Sequence, residues 1–395
     1  MWKKVLGEIL GVGIFAVDGE RWHVHRKLMS NMFSRNLLRH SADVTRKKLS
    51  ELVYVFNKRI DESDDAEEGF DIDLQDVFFR MTIDITTIIT FGIDLCSIQR
   101  DQQHHFALAF DELSFLCQKR FLDPFFHVKK VLRLTRNERR IRVLKEVVDE
   151  FAYDVIARKR RLSSHGSPLG PDLLSRFVEH GRQTNEEISD SELRDVVMNV
   201  ILAGRDTTAC ALSWLFFELT RKKDVVEKII EEVELVCGVG ENADYSYDTM
   251  GKLKYCHCVA LETLRLHPPV TNDPRYAVNR DTLPDGSKVP AGAGIDLCFY
   301  SILRKEDVWG LDALEFKPER FLDEKEPSPF KYPVFHAGPR MCLGRPLALM
   351  NMKLAMSILV TSFKFHDQSM HSGEYTWTLV ESMKGGFKVH VEKNK

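Results

Sequence analysis

The stretch Phe335–Gly344, which reads FHAGPRMCLG, decides the fold of this chain. Its spacing is F-x-x-G-x-R-x-C-x-G, and the apolar run Leu347–Val360 that follows predicts a helix. Cys342 can offer a thiolate to a metal, because the free N–H groups at the start of that helix would stabilise the negative sulfur. Gly338 and Gly344 would let the backbone turn tightly and approach a flat ligand without a Cβ in the way.

Two further side chains of the stretch fit the same interpretation. Arg340 can reach an anionic group, and Phe335 can pack against the proximal side of a ring. The alternative is a lone buried cysteine, which is the usual fate of Cys in an intracellular chain. Because several residues are fixed at set spacing, the pattern favours a metal ligand over that alternative.

The stretch resembles the haem-ligand loop of the cytochrome P-450 family, in which a Cys thiolate is the axial ligand of the haem iron. The resemblance implies a mainly α fold with a minor β-sheet part, haem b as the cofactor and Cys342 as the metal ligand. We expect residues 1–395 to form a single haem domain. The motifs described below follow one another in the family's order.

Composition excludes some other classes of protein. With 395 residues, 44% of them hydrophobic, the chain can bury a large core. The formal net charge of −3 and the lack of a long basic block predict no nucleic-acid partner. Eight scattered cysteines suit reduced thiols better than a disulfide framework, so we expect no disulfide partner.

The sequence predicts no transmembrane segment in this chain. No run reaches the roughly 18–20 uncharged apolar residues that a span needs. The closest runs, Val196–Leu219 and Leu347–Phe363, contain charged residues and predict core helices. In the family, a membrane anchor, the first helices and the first β-strands precede the helix that carries Trp22. We expect this chain to lack them, which would leave a sheet edge unpaired. For a full-length form, the resemblance implies a location at the cytosolic face of the endoplasmic reticulum membrane.

Trp22 and Arg26 are candidate partners of a haem propionate. They lie at i and i+4, hence on one face of a predicted helix. In the family such a pair lies over the haem edge and donates hydrogen bonds to a propionate; the alternative is an ordinary surface pair. Arg275 is the candidate for the second propionate, with an exposed loop arginine as its alternative.

A long helix, about Ser191 to Arg221, carries the segment Ala203–Thr208, which reads AGRDTT. Gly and two adjacent β-branched threonines are poor helix formers, so a bulge or kink is predicted there. The alternative is a small-residue packing notch. The segment resembles the family's oxygen-side motif, which implies room for dioxygen beside Ala203 and Gly204. Asp206 and Thr207 would then form a hydroxyl–carboxylate proton relay.

Glu262 and Arg265 lie at i and i+3 inside an apolar run that ends at prolines, so both charges are predicted to be buried. Buried charges need partners, and Arg320 resembles the third member of the family's Glu-Arg-Arg network. That network would be structural, because it would hold the cysteine loop in register, and it would not be catalytic.

Other segments yield coarser predictions. Apolar periodicity predicts helices over Leu37–Ile60, Phe70–Phe91 and Glu138–Arg161, while alternation predicts a strand at Ile295–Tyr300 and a terminal hairpin in Tyr375–Val391. The acidic run Asp61–Glu68 predicts a solvated loop. The aromatic stretch Phe106–Leu134 is either a lid over a lipid-like substrate or plain core.

The resemblance implies monooxygenation, with electrons from NADPH through a NADPH–cytochrome P-450 reductase. Lys27, Arg35 and Arg345 are candidate contacts for the acidic face of that partner, with solvated surface charge as the alternative. Three stretches, Asp71–Gly92, Phe106–Pro124 and Thr282–Phe321, are most similar to the long-chain fatty-acid ω-hydroxylase branch. Two alternatives remain open: a haem-thiolate isomerase or lyase that needs no reductase, and a truncated chain that binds haem weakly or not at all.

Overall fold

The computed structural model of the chain describes residues 2–62, 69–132, 134–164, 169–184, 188–322, 326–369, 373–376 and 378–394. Its α-helices are α1 (Trp2–Val5), α2 (Gly7–Leu10), α3 (Gly19–Ser30), α4 (Arg35–Asp61), α5 (Leu74–Phe91), α6 (His105–Gln118), α7 (Phe126–Leu132), α8 (Arg136–Ser164), α9 (Leu173–Thr184), α10 (Asp190–Ile201), α11 (Thr207–Leu219), α12 (Lys223–Cys237), α13 (Tyr247–Met250), α14 (Tyr255–Leu266), α15 (Phe299–Ile302), α16 (Glu306–Trp309) and α17 (Arg345–Ala355).

The strands are short by comparison. They are β1 (Phe70–Asp73), β2 (Asn272–Tyr276), β3 (Asp281–Thr282), β4 (Lys288–Val289), β5 (Gly294–Cys298), β6 (Phe363–Asp367), β7 (Tyr375–Thr376), β8 (Ser382–Met383) and β9 (Lys388–Lys393). The fold is therefore mainly α with a minor β part, as the sequence predicts.

The prediction of one helix over Phe70–Phe91 is wrong at its start. Residues 70–73 form β1, which pairs antiparallel with β9, and α5 begins only at Leu74. The side chain of Asp73 accepts a hydrogen bond from the backbone N–H of Asp76, so it caps the helix and divides it from the strand. Helical apolar spacing alone did not reveal that cap.

The end of the chain also differs from the prediction of one terminal hairpin. The hairpin contains only β7 and β8, whereas β9 lies between β1 and β6 in a separate three-stranded sheet. The predicted strand at Ile295–Tyr300 is β5, which ends at Cys298 and is followed at once by α15. Most of the predicted acidic loop, residues 63–68, lies outside the described residues.

The core is organised around a helical rod made of α10, a π turn at Leu202–Asp206 and α11. Length and composition would let the segment Asp190–Leu219 cross a membrane, but most of it is buried by other parts of the protein. A core helix carries apolar residues all round and is therefore buried on all sides. The observed burial agrees with the prediction of a core helix.

The residues before α3 pack against this rod. The backbone N–H of Val12 donates to Asp195 Oδ2 at 2.8 Å, and the amide of Asn199 donates to the carbonyl oxygen of Leu10 at 2.9 Å. These bonds to α10 position the segment that leads into α3, and α3 carries Trp22.

The aromatic stretch Phe106–Leu134 divides into two parts. Phe106 and Phe110 are fully buried in α6, where they belong to the core. From Leu122 onwards most of the large apolar side chains face solvent, although Phe126 is half-buried against the core, and α7 has no buried residue among those described. Neither alternative for this stretch therefore holds over its whole length.

Candidate active site

Cys342 lies in a loop that follows a short 3₁₀ turn, Gly338–Arg340, and precedes α17. Its backbone N–H donates to the carbonyl oxygen of Phe335 at 2.8 Å, which closes the loop. The side chain of Cys342 is exposed, yet protein atoms surround it closely enough to desolvate it. We infer that the sulfur faces a hollow inside the protein.

Burial raises the pKa of the Cys342 thiol, while several contacts oppose that shift. The backbone N–H groups of Gly344 and Arg345 donate to the sulfur, and the charges of Arg26 and Arg345 also favour the thiolate. The first turn of α17 therefore stabilises negative charge on the sulfur, as the sequence predicts.

The loop backbone is strained at one residue that is not glycine. His336 has φ 63°, a value that side chains with a Cβ rarely adopt, and Gly338 has φ 71°. Gly344 has φ −80°, which any residue can adopt. A Cβ there would lie 3.7 Å from the Cys342 sulfur, which is an ordinary van der Waals distance, so the described residues do not require glycine at this position.

Trp22 and Arg26 of α3 lie beside Arg340 of the cysteine loop. The guanidinium carbons of Arg340 and Arg26 are 4.7 Å and 5.5 Å from the centroid of the Trp22 ring. Arg26 donates to the carbonyl oxygen of Met341 at 2.8 Å, and Arg340 donates to Asp18 at 2.5 Å. Three of the predicted cofactor-binding residues are thus brought together.

This cluster fits an anionic group. Among the described residues no carboxylate pairs with Arg26, and the indole N–H of Trp22 donates to no acceptor. Burial lowers the pKa of Arg26; the negative charge of the Cys342 thiolate opposes that shift, and the positive charge of Arg340 adds to it. An anion would relieve that repulsion, so the residues present fit a haem propionate here and haem iron at the Cys342 thiolate.

The structure does not bring Arg275 to this cluster. Arg275 is exposed on β2, where it forms an ion pair with Asp273, and the ring of His336 lies 3.3 Å from the other oxygen of Asp273. Within the described chain no hydrogen bond or ion pair joins Arg275 to Trp22 or Arg340. Its assignment to a propionate stays a prediction.

The central rod opens at the π turn. Ala203 is exposed and Thr207 is half-buried, although most residues of α10 and α11 around them are buried. They are four residues apart, so they lie on nearly the same face, and from their exposure we infer a groove along that face. A Cβ on Gly204 would lie 2.9 Å from Thr86 Oγ1 of α5, so glycine lets the two helices approach at this point.

The predicted relay pair is not hydrogen-bonded in this arrangement. Thr207 Oγ1 donates to the carbonyl oxygen of Ala203 at 2.6 Å, while Asp206 Oδ1 accepts from Arg205 Nη1 at 2.8 Å. The two side chains leave the rod in different directions. A relay between them would require one side chain to exchange partners.

Arg205, which the sequence reasoning passed over, is the centre of a buried ion cluster. It is 0% exposed, and its two terminal nitrogens contact Asp111, Asp206 and Gln103. Burial raises the pKa of Asp206 to about 7; Arg205 opposes that shift and Asp111 adds to it. A charged residue inside an apolar helical run was the available signal, because such a residue must find a partner.

Glu262, Arg265 and Arg320 lie together in the interior. Arg265 contacts both oxygens of Glu262, at 2.7 and 2.8 Å, and Arg320 Nε donates to Glu262 at 3.0 Å. Glu262 and Arg265 are fully buried, and Arg265 donates further to the carbonyl oxygens of Leu303, Ala313 and Glu315.

An aromatic cluster connects this network to the cysteine loop. The Arg265 guanidinium lies 5.2 Å from the ring centroid of Trp309, whose ring also packs against Tyr332. Tyr332 donates to the carbonyl oxygen of Leu261 on α14 at 2.7 Å, and the turn at Pro333–Phe335 follows it directly. The packing supports a structural role for the network.

The candidate contacts for a reductase differ in their partners. Arg345 is paired with Glu326, and Arg35 with Asp248 at 3.0 Å. Lys27 is exposed and forms no ion pair with any described residue. Of the three, Lys27 alone presents an uncompensated charge in the described part of the chain.

Comparison with known proteins gives a consistent result. A family model described as Cytochrome P450 matches residues 2–386. Cytochrome P450 704B1 of Arabidopsis thaliana is 34% identical over 426 aligned residues, which cover 98% of this chain and 80% of that protein. Cytochrome P450 704C1 of Pinus taeda is 34% identical, with 98% and 79% covered. Cytochrome P450 94C1 of Arabidopsis thaliana is 35% identical, with 98% and 79% covered.

Proposed function

Because this chain belongs to the cytochrome P450 family and is therefore a haem-dependent monooxygenase, we propose that it hydroxylates a long-chain fatty acid at its ω end. Haem b is the cofactor of this family, and NADPH supplies electrons indirectly, through a redox partner. The choice of substrate rests on the resemblance of three stretches to the fatty-acid ω-hydroxylase branch and on the character of the groove at the π turn.

The observation that carries the proposal is the exposure of Ala203 in the middle of a mostly buried helical rod. Ala203 gives the inferred groove a small apolar wall, and the charged neighbours Arg205 and Asp206 are buried in an ion cluster instead of lining it. An apolar chain end can enter such a groove without desolvating a charge, whereas a carboxylate would have to leave water. A fatty acid therefore presents its hydrocarbon end there.

The residues of this chain that would hold the cofactor have separate roles. Bound haem supplies oxygen activation and the oxidation of a C–H bond, which a thiolate ligand promotes. Cys342 provides that thiolate, which the N–H groups of Gly344 and Arg345 stabilise. Trp22, Arg26 and Arg340 hold the anionic edge of the cofactor, because they gather positive charge and free donors at one place.

Thr207 and Asp206 are the residues that transfer protons in this proposal. Thr207 Oγ1 now donates to the carbonyl oxygen of Ala203, and when it releases that bond it can hold a water molecule or a proton in the groove. Asp206, whose pKa is raised to about 7, can take up and release a proton near neutral pH. The acid and the hydroxyl are adjacent in the chain, so a change of partner in either side chain can bring them into contact.

The electron donor we propose is a NADPH–cytochrome P450 reductase that docks on the side of Cys342. Of the three candidate cations, Lys27 of α3 is the one we assign to an acidic partner there, since Arg35 and Arg345 already have carboxylate partners. Lys27→Glu should raise the reductase concentration needed for half-maximal turnover, and this effect should weaken at high salt.

We further propose that the protein works at the cytosolic face of the endoplasmic reticulum membrane. Between α6 and α8 it exposes a run of large apolar side chains that a bilayer could cover. These are Leu122, Phe125, Val128, Val131, Leu132 and Leu134. Replacing Leu122, Phe125 and Val131 by serine should reduce co-sedimentation with phospholipid vesicles; the same change at exposed Leu235, Val239 and Leu311 is the control.

The first experiment is the reduced, carbon-monoxide-bound difference spectrum of the expressed chain. A red-shifted Soret band that Cys342→Ser abolishes and Cys298→Ser retains would support the assigned thiolate. Soluble protein with no such band would overturn the assignment of the cofactor site.

The second experiment addresses the substrate. With reductase, NADPH and a saturated long-chain fatty acid, the ω-hydroxy acid should be the main product by gas chromatography and mass spectrometry. Hydroxylation mainly within the chain would contradict the proposed orientation. Turnover without reductase, with the substrate isomerised or cleaved and no oxygen added, would favour an isomerase or lyase instead.

A further inference from the structure

Two serines of this chain follow almost the same run of basic residues. Ser163 ends the stretch Arg158–Ser163, which reads RKRRLS, and Ser50 ends the stretch Arg46–Ser50, which reads RKKLS. In both stretches basic residues stand two and three positions before the serine, and a leucine stands between. This is the pattern that basophilic serine kinases recognise, because carboxylates in their clefts pair with the basic side chains. The sequence alone does not separate the two serines.

Ser50 lies in the middle of α4, in a segment that the core holds in place. Its neighbours Lys48 and Leu49 are 1% and 0% exposed, and Lys48 pairs with Glu51 at 2.8 Å and with Asp94 at 2.7 Å. A kinase could bind this stretch only if the helix unwound and both side chains left the interior. We therefore expect the fold to protect Ser50 from a kinase.

Ser163 lies in the last turn of α8, which ends at Ser164. Leu162, directly before the serine, is 46% exposed, in contrast to its counterpart in α4. Lys159 lies one turn earlier and is buried, and its Nζ pairs with Asp172 at 2.5 Å. Because helix ends fray, the residues after Lys159 can leave the helix without breaking that buried pair. The stretch before Ser163 can therefore enter a kinase cleft in an extended conformation.

Arg160 has to change partners during such recognition. It is half-buried, and its Nε pairs with Asp190 at 2.6 Å, where the side chain of Asp190 is 54% exposed. An ion pair that reaches solvent contributes little to stability. Carboxylates of a kinase cleft can therefore replace Asp190 at small cost.

The hydroxyl of Ser163 already contacts a cation that suits a phosphate. Arg182, near the end of α9, donates from Nη1 to Ser163 Oγ at 3.3 Å, and it pairs with no carboxylate in the described part of the chain. A phosphate on Ser163 would place three acceptor oxygens beside that guanidinium. The alternative is that the basic stretch only complements the C-terminal dipole of α8. That alternative does not account for Arg182, which belongs to another helix.

From these contacts we propose that Ser163 is a phosphorylation site for a basophilic serine kinase, and that Arg182 holds the added phosphate and so joins the end of α8 to α9. The assignment depends neither on the substrate nor on the proposed hydroxylation.

The reaction transfers the γ-phosphoryl group of a nucleoside triphosphate, which the kinase binds. A bond forms between Ser163 Oγ and the γ-phosphorus, and the bond from that phosphorus to the departing nucleoside diphosphate breaks. The hydroxyl proton passes to a carboxylate base of the kinase. No group is oxidised or reduced.

The first test measures phosphorylation of the folded, haem-loaded protein. The catalytic subunit of an arginine-directed serine kinase is added with ATP, and the rate at each serine is determined by mass spectrometry. Short synthetic peptides centred on Ser163 and on Ser50 give the rates without the fold. The ratio of the Ser163 rate to the Ser50 rate should be at least about tenfold greater in the protein than in the peptides, because the fold protects Ser50 alone.

Two results would overturn the site. One is folded protein in which Ser163 is not modified, or in which the ratio between the two serines equals that of the peptides. The other is total incorporation that Ser163→Ala leaves unchanged, since the phosphate would then lie on another residue. Ser50→Ala is the matched control and should retain full incorporation.

The second test asks whether Arg182 holds the phosphate. Arg182→Gln should lower the melting temperature of the phosphorylated protein by about 1–2 °C more than that of the unmodified protein, because a charge-assisted contact is lost only from the first. Arg176→Gln is the control on the same helix, since Arg176 donates to the carbonyl oxygen of Pro171 and not to Ser163. Equal shifts of both forms in Arg182→Gln would overturn the phosphate contact, while the first test decides on Ser163 itself.

Discussion

Two buried arginines of this protein sit in networks of opposite character. Arg265 uses all of its N–H groups, because Glu262 and three carbonyl oxygens accept from its nitrogens. Arg205 is equally buried, but its Nε has no partner among the described residues, and two carboxylates and the amide of Gln103 share its remaining nitrogens. We call the Arg265 network closed, because all of its N–H groups are paired, and the Arg205 network open, because Asp111 and Asp206 line a cavity.

The difference shows how a buried charge can serve either the fold or the chemistry. A charge whose partners are complete has no alternative arrangement of similar energy, so it fixes the segments that it joins. A charge shared between competing partners can be redistributed at small cost. The pKa of Asp206, raised to about 7 by burial, is the measurable sign of that second state.

The largest expected effect comes from breaking the closed network. Arg265→Ala removes both hydrogen bonds of Arg265 to buried Glu262 and leaves three buried carbonyl oxygens without their donor, so the free energy of unfolding should fall by about 3–5 kcal/mol, measured by urea denaturation. Arg142→Ala is the control, because that arginine forms an exposed i,i+4 pair worth at most about 0.5 kcal/mol. A loss below about 1 kcal/mol at Arg265 would show that the network is not needed for the fold.

The next effect comes from the open network and should appear in catalysis. Asp206→Asn removes a group that can carry a proton, so product formation per electron should fall about 100-fold, while the haem content stays that of the wild type. The matching change in the closed network, Glu262→Gln, should instead lower the haem content and the stability. If both variants lose stability to the same extent, the contrast between the two networks is wrong.

A smaller effect is expected in the pH dependence of stability. Because the pKa of Asp206 is raised in the folded protein, the folded state binds more protons than the unfolded state between pH 3.8 and about 7. The free energy of unfolding should therefore decrease as the pH rises through that window, by at most about 1.4 kcal/mol per pH unit from this group. Asp206→Asn should flatten this part of the curve, and an unchanged slope would contradict the assigned shift.

The smallest effect concerns the loop that the closed network supports. His336 has φ 63°, so His336→Gly should relieve strain and raise the free energy of unfolding by about 0.5–1 kcal/mol. Ala337→Gly is the control, since the backbone there is extended at φ −136° and glycine should only destabilise it. Equal changes at both positions would show that the strain is not relieved.

Features whose residues lie at a fixed, short spacing could be predicted from the sequence. The cysteine loop, the bulge in the central helix and the Glu262–Arg265 pair each lie within a few residues of chain, so their geometry follows from helical periodicity and turn chemistry. The resemblance to the family then supplied Arg320, which is 58 residues from Glu262.

Pairings between distant segments were not predictable in this way. The contact between Arg205 and Asp111 joins residues 94 apart, and β9 pairs with β1 and β6 instead of the nearby hairpin. Neither pairing leaves a local pattern, because each depends on how helices and strands meet after the core has packed. A lone charge in an apolar run indicates that a partner exists without saying which one.

The π turn at Leu202–Asp206 also sets the rotational position of the side chains of α11 around the helix axis. A π turn holds more residues than an α turn, so α11 is rotated relative to the continuation of α10. Deleting one residue, such as Ala203, would let an uninterrupted α-helix keep the side chains from Thr207 to Leu219 in place, whereas the full sequence in α geometry would turn each of them by about 100° around the axis. Trp214, which now donates to the carbonyl oxygen of Glu381 at 2.9 Å, would then face a different wall of the protein. The bulge therefore behaves as an inserted residue that the whole downstream half of the helix depends on.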